Sequence, residues 1–77
     1  MKEKSNSILT TPPLITISGR ESVRIENTYG VKGFNSDSIT IMVSGGIVLA
    51  EGDLLEISYM QDGVVVVQGK IRSVSFV

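Results

Sequence analysis

From Leu14 to Phe76 this chain keeps returning to a hydrophobic period of two, and that constrains its fold more than anything else in it. Ile15 and Ile17 alternate with Thr16 and Ser18, and Val23 and Ile25 with Arg24 and Glu26. Further on, Ile39, Ile41 and Val43 alternate with Thr40, Met42 and Ser44. Neighbouring side chains of a strand point to opposite faces, so this pattern places the apolar residues on one face of a pleated sheet. No stretch of eleven or more residues carries a 3.6-residue period, and helix is expected to be nearly absent. Turn signals separate the runs at Ser18-Gly19, Tyr29-Gly30, Asn35-Ser36-Asp37, Ser44-Gly45-Gly46, Glu51-Gly52-Asp53 and Gln61-Asp62-Gly63. Asp62-Gly63 is the clearest hairpin signal, because a type I′ turn requires positive φ at both central residues.

The C-terminal half echoes itself. Gly46 to Tyr59 reads GIVLAEGDLLEISY, and Gly63 to Phe76, offset by 17 residues, reads GVVVVQGKIRSVSF. Gly52 answers Gly69, Ile57 answers Val74 and Tyr59 answers Phe76. In both copies the apolar phase slips after the second glycine, as a β-bulge or a sharp strand bend requires. A weaker copy runs from Ile15 to Asn27, with Gly19 in the bending position. The expected fold is therefore all-β: a small, mainly antiparallel sandwich of about seven or eight short strands with glycine bends. A short β-solenoid-like stack accepts the same pattern and is the alternative.

At 77 residues the chain has room for one domain, and a domain of this size buries only about 60% of its unfolded surface. Residues 1–11 are polar and aperiodic and read as a flexible arm, and Pro12-Pro13 opens a single domain over 12–77. With no Cys and no His, disulfides and ordinary zinc sites are excluded, and oligomerisation or a protein partner is the expected supplement to stability. No cofactor is expected. A formal charge of -1 lacks the electrostatic footprint of a nucleic-acid binder. No apolar run approaches the ~20 residues of a membrane span, and Lys2 and Lys4 are not followed by a signal-peptide core. The protein is expected to stay in the cytoplasm.

Catalytic apparatus is hard to assemble from these residues. Without His, acid–base work falls to Glu21, Glu26, Glu51, Asp53, Glu56 and Asp62, which are scattered over turns and polar faces. Glu51-Gly52-Asp53 lacks the further oxygens of a calcium loop, and no Lys-Ser/Thr follows Ser44-Gly45-Gly46 to make a phosphate loop. The expectation is a protein that is not an enzyme and has no small-molecule substrate. Candidate contact residues are Arg20, Arg24 and Tyr29, together with Val64, Val65, Val66 and Val67. Arg20 and Arg24 belong to a segment of alternating charge, and the four valines are apolar on both faces. Phe34, Phe76 and Tyr59 are expected to anchor the core.

The stretch Pro13–Phe76 resembles the YabP/YqfC family of bacterial sporulation proteins. The resemblance rests on Gly19-Arg20, Val23-Arg24-Ile25-Glu26-Asn27, Gly30-Val31, Phe34 and Ile39-Thr40-Ile41. It continues through Gly46, Gly52, Leu55-Glu56-Ile57 and Gly69-Lys70-Ile71-Arg72-Ser73-Val74-Ser75-Phe76. Ile25-Glu26-Asn27 is similar to the YqfC branch and Asp62-Gly63-Val64-Val65 to the YabP branch, so no branch is assigned. The resemblance implies a small β domain of the mother cell, acting in coat or cortex assembly beside another sporulation protein, such as a membrane protein. It carries no catalytic residues over. The leading expectation is a non-catalytic interaction module that forms a homo-oligomer, a dimer, or docks on such a partner. The alternative is a carbohydrate- or ligand-binding β module acting on spore-wall polymer, with Tyr29 as the exposed aromatic.

Overall fold

Alternating residues form strands only when each strand finds neighbours for its backbone, and here antiparallel pairing supplies all of them. The computed structural model describes residues 11–77; the expected arm at 1–11 lies, apart from Thr11, outside the described residues. Six strands follow in order: β1 (Leu14–Ser18), β2 (Ser22–Glu26), β3 (Thr28–Asn35), β4 (Ser38–Val43), β5 (Gly46–Gln61) and β6 (Val64–Phe76). They form one antiparallel sheet in the order β1-β2-β6-β5-β4-β3, which does not close into a barrel. The all-β, antiparallel expectation holds. The strands number six rather than seven or eight because the two C-terminal strand–bend–strand units stay continuous, giving β5 16 residues and β6 13.

Four of the six turn signals make hairpins. Asp62 and Gly63 have φ of 54° and 75°, the positive values that the type I′ reading requires. The other two signals lie inside strands. Tyr29-Gly30 sits at a register shift of β3 against β4, and Glu51-Gly52-Asp53 marks the bend of β5.

Each long strand serves two different neighbours. The first part of β5 pairs β4, from Gly46↔Val43 to Glu51↔Ser38, and the first part of β6 pairs β2, from Val65↔Ile25 to Gln68↔Ser22. Between these parts both strands bend, and glycine is required there. A Cβ on Gly52 would fall 1.9 Å from the Lys70 carbonyl oxygen. One on Gly69 would fall 2.5 Å from that of Leu54, where φ is also 141°. The edges of the bend are tied to hairpin turns. Gly69 N and Ile71 N donate to Glu21 O and Arg20 O, at 3.1 and 2.8 Å. Gly52 N and Leu55 N donate to Asp37 O and Ser36 O, at 3.1 and 2.7 Å.

With no helix or second sheet among the described residues, an apolar sheet face can be sealed only by the sheet folding over itself. The bends achieve this, and one core cluster draws on both halves. The sheet order is also palindromic, exchanging β1 with β3, β2 with β4 and β6 with β5. The registers obey the same exchange: Ser22↔Gln68, Val23↔Val67 and Ile25↔Val65 repeat as Ser38↔Glu51, Ile39↔Ala50 and Ile41↔Val48. The core is made of the resulting pairs: Val23 with Ile39, Ile25 with Ile41, Val65 with Val48, Val67 with Ala50, and Ile71 with Leu55, plus Val43. The partly buried residues packed against it, Ile15 with Val31 and Ile57 with Val74, pair in the same way. The echo seen in the sequence is thus half of an internal two-fold relation that embraces the whole sheet.

The aromatics are not core anchors. Phe34, Phe76 and Tyr59 are 55%, 68% and 46% exposed. Phe34 and Phe76 share the inner face with Ile39 and Val48 but stand at strand ends, beyond the reach of the opposite half. A register shift between Ile57 and Tyr59 turns Tyr59 to the outer face opposite Val66, and Met60 takes the place beside Val65.

Candidate functional site

The four valines lie in β6, in the middle of the sheet between β2 and β5. Alternation divides them: Val65 and Val67 are sealed in the core, while Val64 and Val66 are half-buried on the outer face. Val66 is flanked there by Arg24 and Tyr59, and Thr16 lies beyond Arg24. Arg24 is held by Glu26, two residues along the same face, at 3.5 Å. The outer face therefore unites two of the residue groups singled out from sequence, Arg24 and the outward valines. Arg20 and Tyr29 lie elsewhere.

Arg20 belongs to the bend. Together with Glu21, Asp53, Lys70, Ile71 and Arg72 it lines an open cleft of about 410 Å³. The β1–β2 turn carries Arg20 and Glu21 to the edge of β6 through the two backbone hydrogen bonds to Gly69 and Ile71. Lys70 and Asp53 face each other across the β5–β6 ladder. The cleft thus has three cations and two carboxylates on a backbone that cannot shift freely, since Gly52 and Gly69 are packed against the opposite strand. Sequence reasoning placed Lys70 and Arg72 in no site; the signal was the glycine echo, which locates the bend where they meet Arg20.

Tyr29 opens the other recess, of about 210 Å³, between the start of β3 and the β5–β6 hairpin. Thr28, Tyr29 and Gly30 form one wall; Met60, Gln61, Asp62, Gly63 and Val64 form the other. Thr28 N donates to Gly63 O at 2.9 Å and fixes the two walls together. Thr28 Oγ1 is buried with no hydrogen-bond partner. Among the described residues no group of three or more carboxylates gathers to hold a metal ion, and no helix is long and apolar enough to cross a membrane.

The order of these features along the chain, from the strand before the Gly19 turn to the Phe76 end of β6, is matched by a family model. The YabP family model covers residues 10–77. The chain belongs to the YabP family. No curated protein matches it. Membership of the YabP family makes this a sporulation-related protein. All the features described above, the bends, the cleft, the Tyr29 recess and the outer valine face, fall within the matched YabP region.

Proposed function

We propose that this YabP-family chain is a non-catalytic interaction module in spore formation, acting in coat or cortex assembly in the mother cell. The observation that carries this reading is the display of its aromatic residues. A small domain gains most by burying Phe and Tyr, yet Tyr29, Phe34, Tyr59 and Phe76 are all exposed, alongside Leu14, Ile17, Leu54 and Met60. Aromatic residues are enriched in protein contacts and supply much of their binding energy. The dispersed carboxylates and the absence of His support a role without catalysis.

The test is made in sporulating cells whose own copy is replaced by variants. Tyr59→Ser and Phe76→Ser, which remove exposed rings without opening the core, are expected to lower the yield of heat-resistant spores while the purified proteins keep their β-sheet circular dichroism. Glu26→Gln and Glu51→Gln are expected to sporulate normally. Normal spores from both aromatic variants, or loss of spores in the carboxamide variants with the fold intact, overturn the reading.

The Tyr29 recess favours a second reading. A buried hydroxyl without a partner beside an exposed tyrosine suits a polar ligand such as a sugar hydroxyl of spore-wall polymer. No aromatic is the register partner of another among the described residues, so the row of rings that usually stacks sugars is not formed. Binding to purified cortex peptidoglycan that disappears in Tyr29→Ala is the outcome that favours it.

A further inference from the structure

At the bend four backbone segments lie side by side. The β1–β2 turn is bonded to β6 through Arg20 O, β6 faces β5 through Lys70 and Asp53, and β5 is bonded to the β3–β4 turn through Ser36 O. Charge is sorted along this line. Arg20, Lys70 and Arg72 occupy the first two segments; Asp53, Glu56 and Asp37 occupy the last two, and Glu21 is the one carboxylate on the basic side. None of these seven takes part in an ion pair, the pair among the described residues being Arg24–Glu26. The two-fold relation of the fold makes the arrangement pointed. One pair of positions exchanged by it carries opposite charge, Lys70 and Asp53; Arg72 and Glu56 each follow a buried residue, Ile71 and Leu55, on their own strand.

Leu54 stands in the same place. Its side chain is 71% exposed and its φ is 55°, a left-handed conformation that L-residues other than Asn and Asp seldom adopt. Strain of this kind persists where the surroundings impose it, and it concentrates at sites that contact something else. The backbone of Leu54 lies directly against Gly69, which lines the basic cleft.

A surface that is basic on one side and acidic on the other is its own complement. A two-fold axis lying in the contact plane and running along the strands carries the basic side of one copy over the acidic side of the next. We propose that the bend is a contact between two copies of this chain, closed about such an axis. Arg20, Lys70 and Arg72 of each copy face Asp37, Asp53 and Glu56 of the other, and Leu54 of each seats in the other's cleft. This rests on the reading of the chain as an interaction module and names one partner for it, a second copy. An axis perpendicular to the strands would set like charge on like. A chain of formal charge -1 carries little net repulsion into the contact.

Sedimentation velocity of the full chain over a concentration series tests this. The wild type is expected to form a dimer and nothing larger, with a Kd that rises roughly tenfold between low and about 0.5 M salt as the charges are screened. Arg72→Glu alone and Glu56→Lys alone are each expected to be monomeric. Their equimolar mixture is expected to return to a dimer, because each new charge then meets an opposite one. Leu54→Gly suits the left-handed backbone, so it is expected to keep the fold while weakening the dimer by roughly tenfold or more. A monomeric wild type, a species larger than the dimer, or a dimer that survives in either charge variant overturns the proposal. A monomer whose aromatic variants still fail to sporulate moves the contact to a different protein and leaves the proposed function standing. A dimer that behaves as expected, with aromatic variants that sporulate normally, overturns the function and keeps the contact.

Discussion

The half built from β1, β2 and β6 and the half built from β3, β4 and β5 solve one packing problem twice and finish it differently. Inside, they agree at every buried core position but Val43: Val23 and Ile39, Ile25 and Ile41, and Val65 and Val48 take matching places in one core. Their edges diverge. β1 is a regular five-residue strand, while β3 runs for eight and shifts register twice against β4. At the bends the extra residue falls at Leu54, before the buried Leu55, in β5; in β6 it falls at Arg72, after the buried Ile71. Close packing tolerates few alternatives, whereas exposed turns and bends are free to change charge and shape. The duplicated inside and the diverged outside are thus separate layers of this molecule, one that carries its stability and one on which the contacts proposed above would fall.

The sharpest way to break the equivalence is at its pivots. Gly52→Ala and Gly69→Ala are each expected to cost about 3 kcal/mol or more, because in both the new methyl meets backbone that side-chain motion cannot relieve. Gly52→Ala is expected to be the worse, its contact being the closer. Urea denaturation of the two variants ranks them, and a small loss at either would mean that its bend yields independently of the other.

A milder comparison probes the core. Ile25→Ala and Ile41→Ala remove matching, fully buried side chains, and each is expected to cost about 2–4 kcal/mol, the two agreeing within about 1 kcal/mol. A cheap Ile25→Ala beside an expensive Ile41→Ala would show that the β1–β2 hairpin docks loosely on a core owned by the other half. The smallest effect is expected at the diverged bend. Leu54→Gly should gain about 0.5 kcal/mol, strain relief of about 1–2 kcal/mol being offset by the freer unfolded chain. Arg72→Gly has no left-handed backbone to relieve and should lose about that much. Thermal unfolding at low protein concentration, where association does not contribute, reads both.

Much of this was legible beforehand. Alternation located the strands, Asp62-Gly63 located the β5–β6 hairpin, and the Gly52/Gly69 echo located the bends, since each of these is a local requirement written in one or two residues. The sheet order was not legible, because which strands become neighbours depends on how far apart segments fold back, and β2 meets β6 across 40 to 46 residues of chain. The aromatics misled for a related reason. Phe34 and Phe76 do follow the inward phase, but period alone does not say where the opposite half stops covering it. Arg20 was noticed as one of a run of charges, yet its companions Lys70 and Arg72 are some fifty residues away and became a cluster only through the bend.

The position of β6 also governs the order in which the molecule can be made. It is the last of the six described strands in sequence and the third in the sheet, between β2 and β5. Until it has been synthesised, β2 and β5 have no common neighbour, and the β1–β2 and β3–β4 hairpins, which form from local contacts, must wait with their apolar faces uncovered. Assembly is therefore a late, concerted event, and the growing chain is most open to misassociation and to chaperone capture just before that final strand emerges.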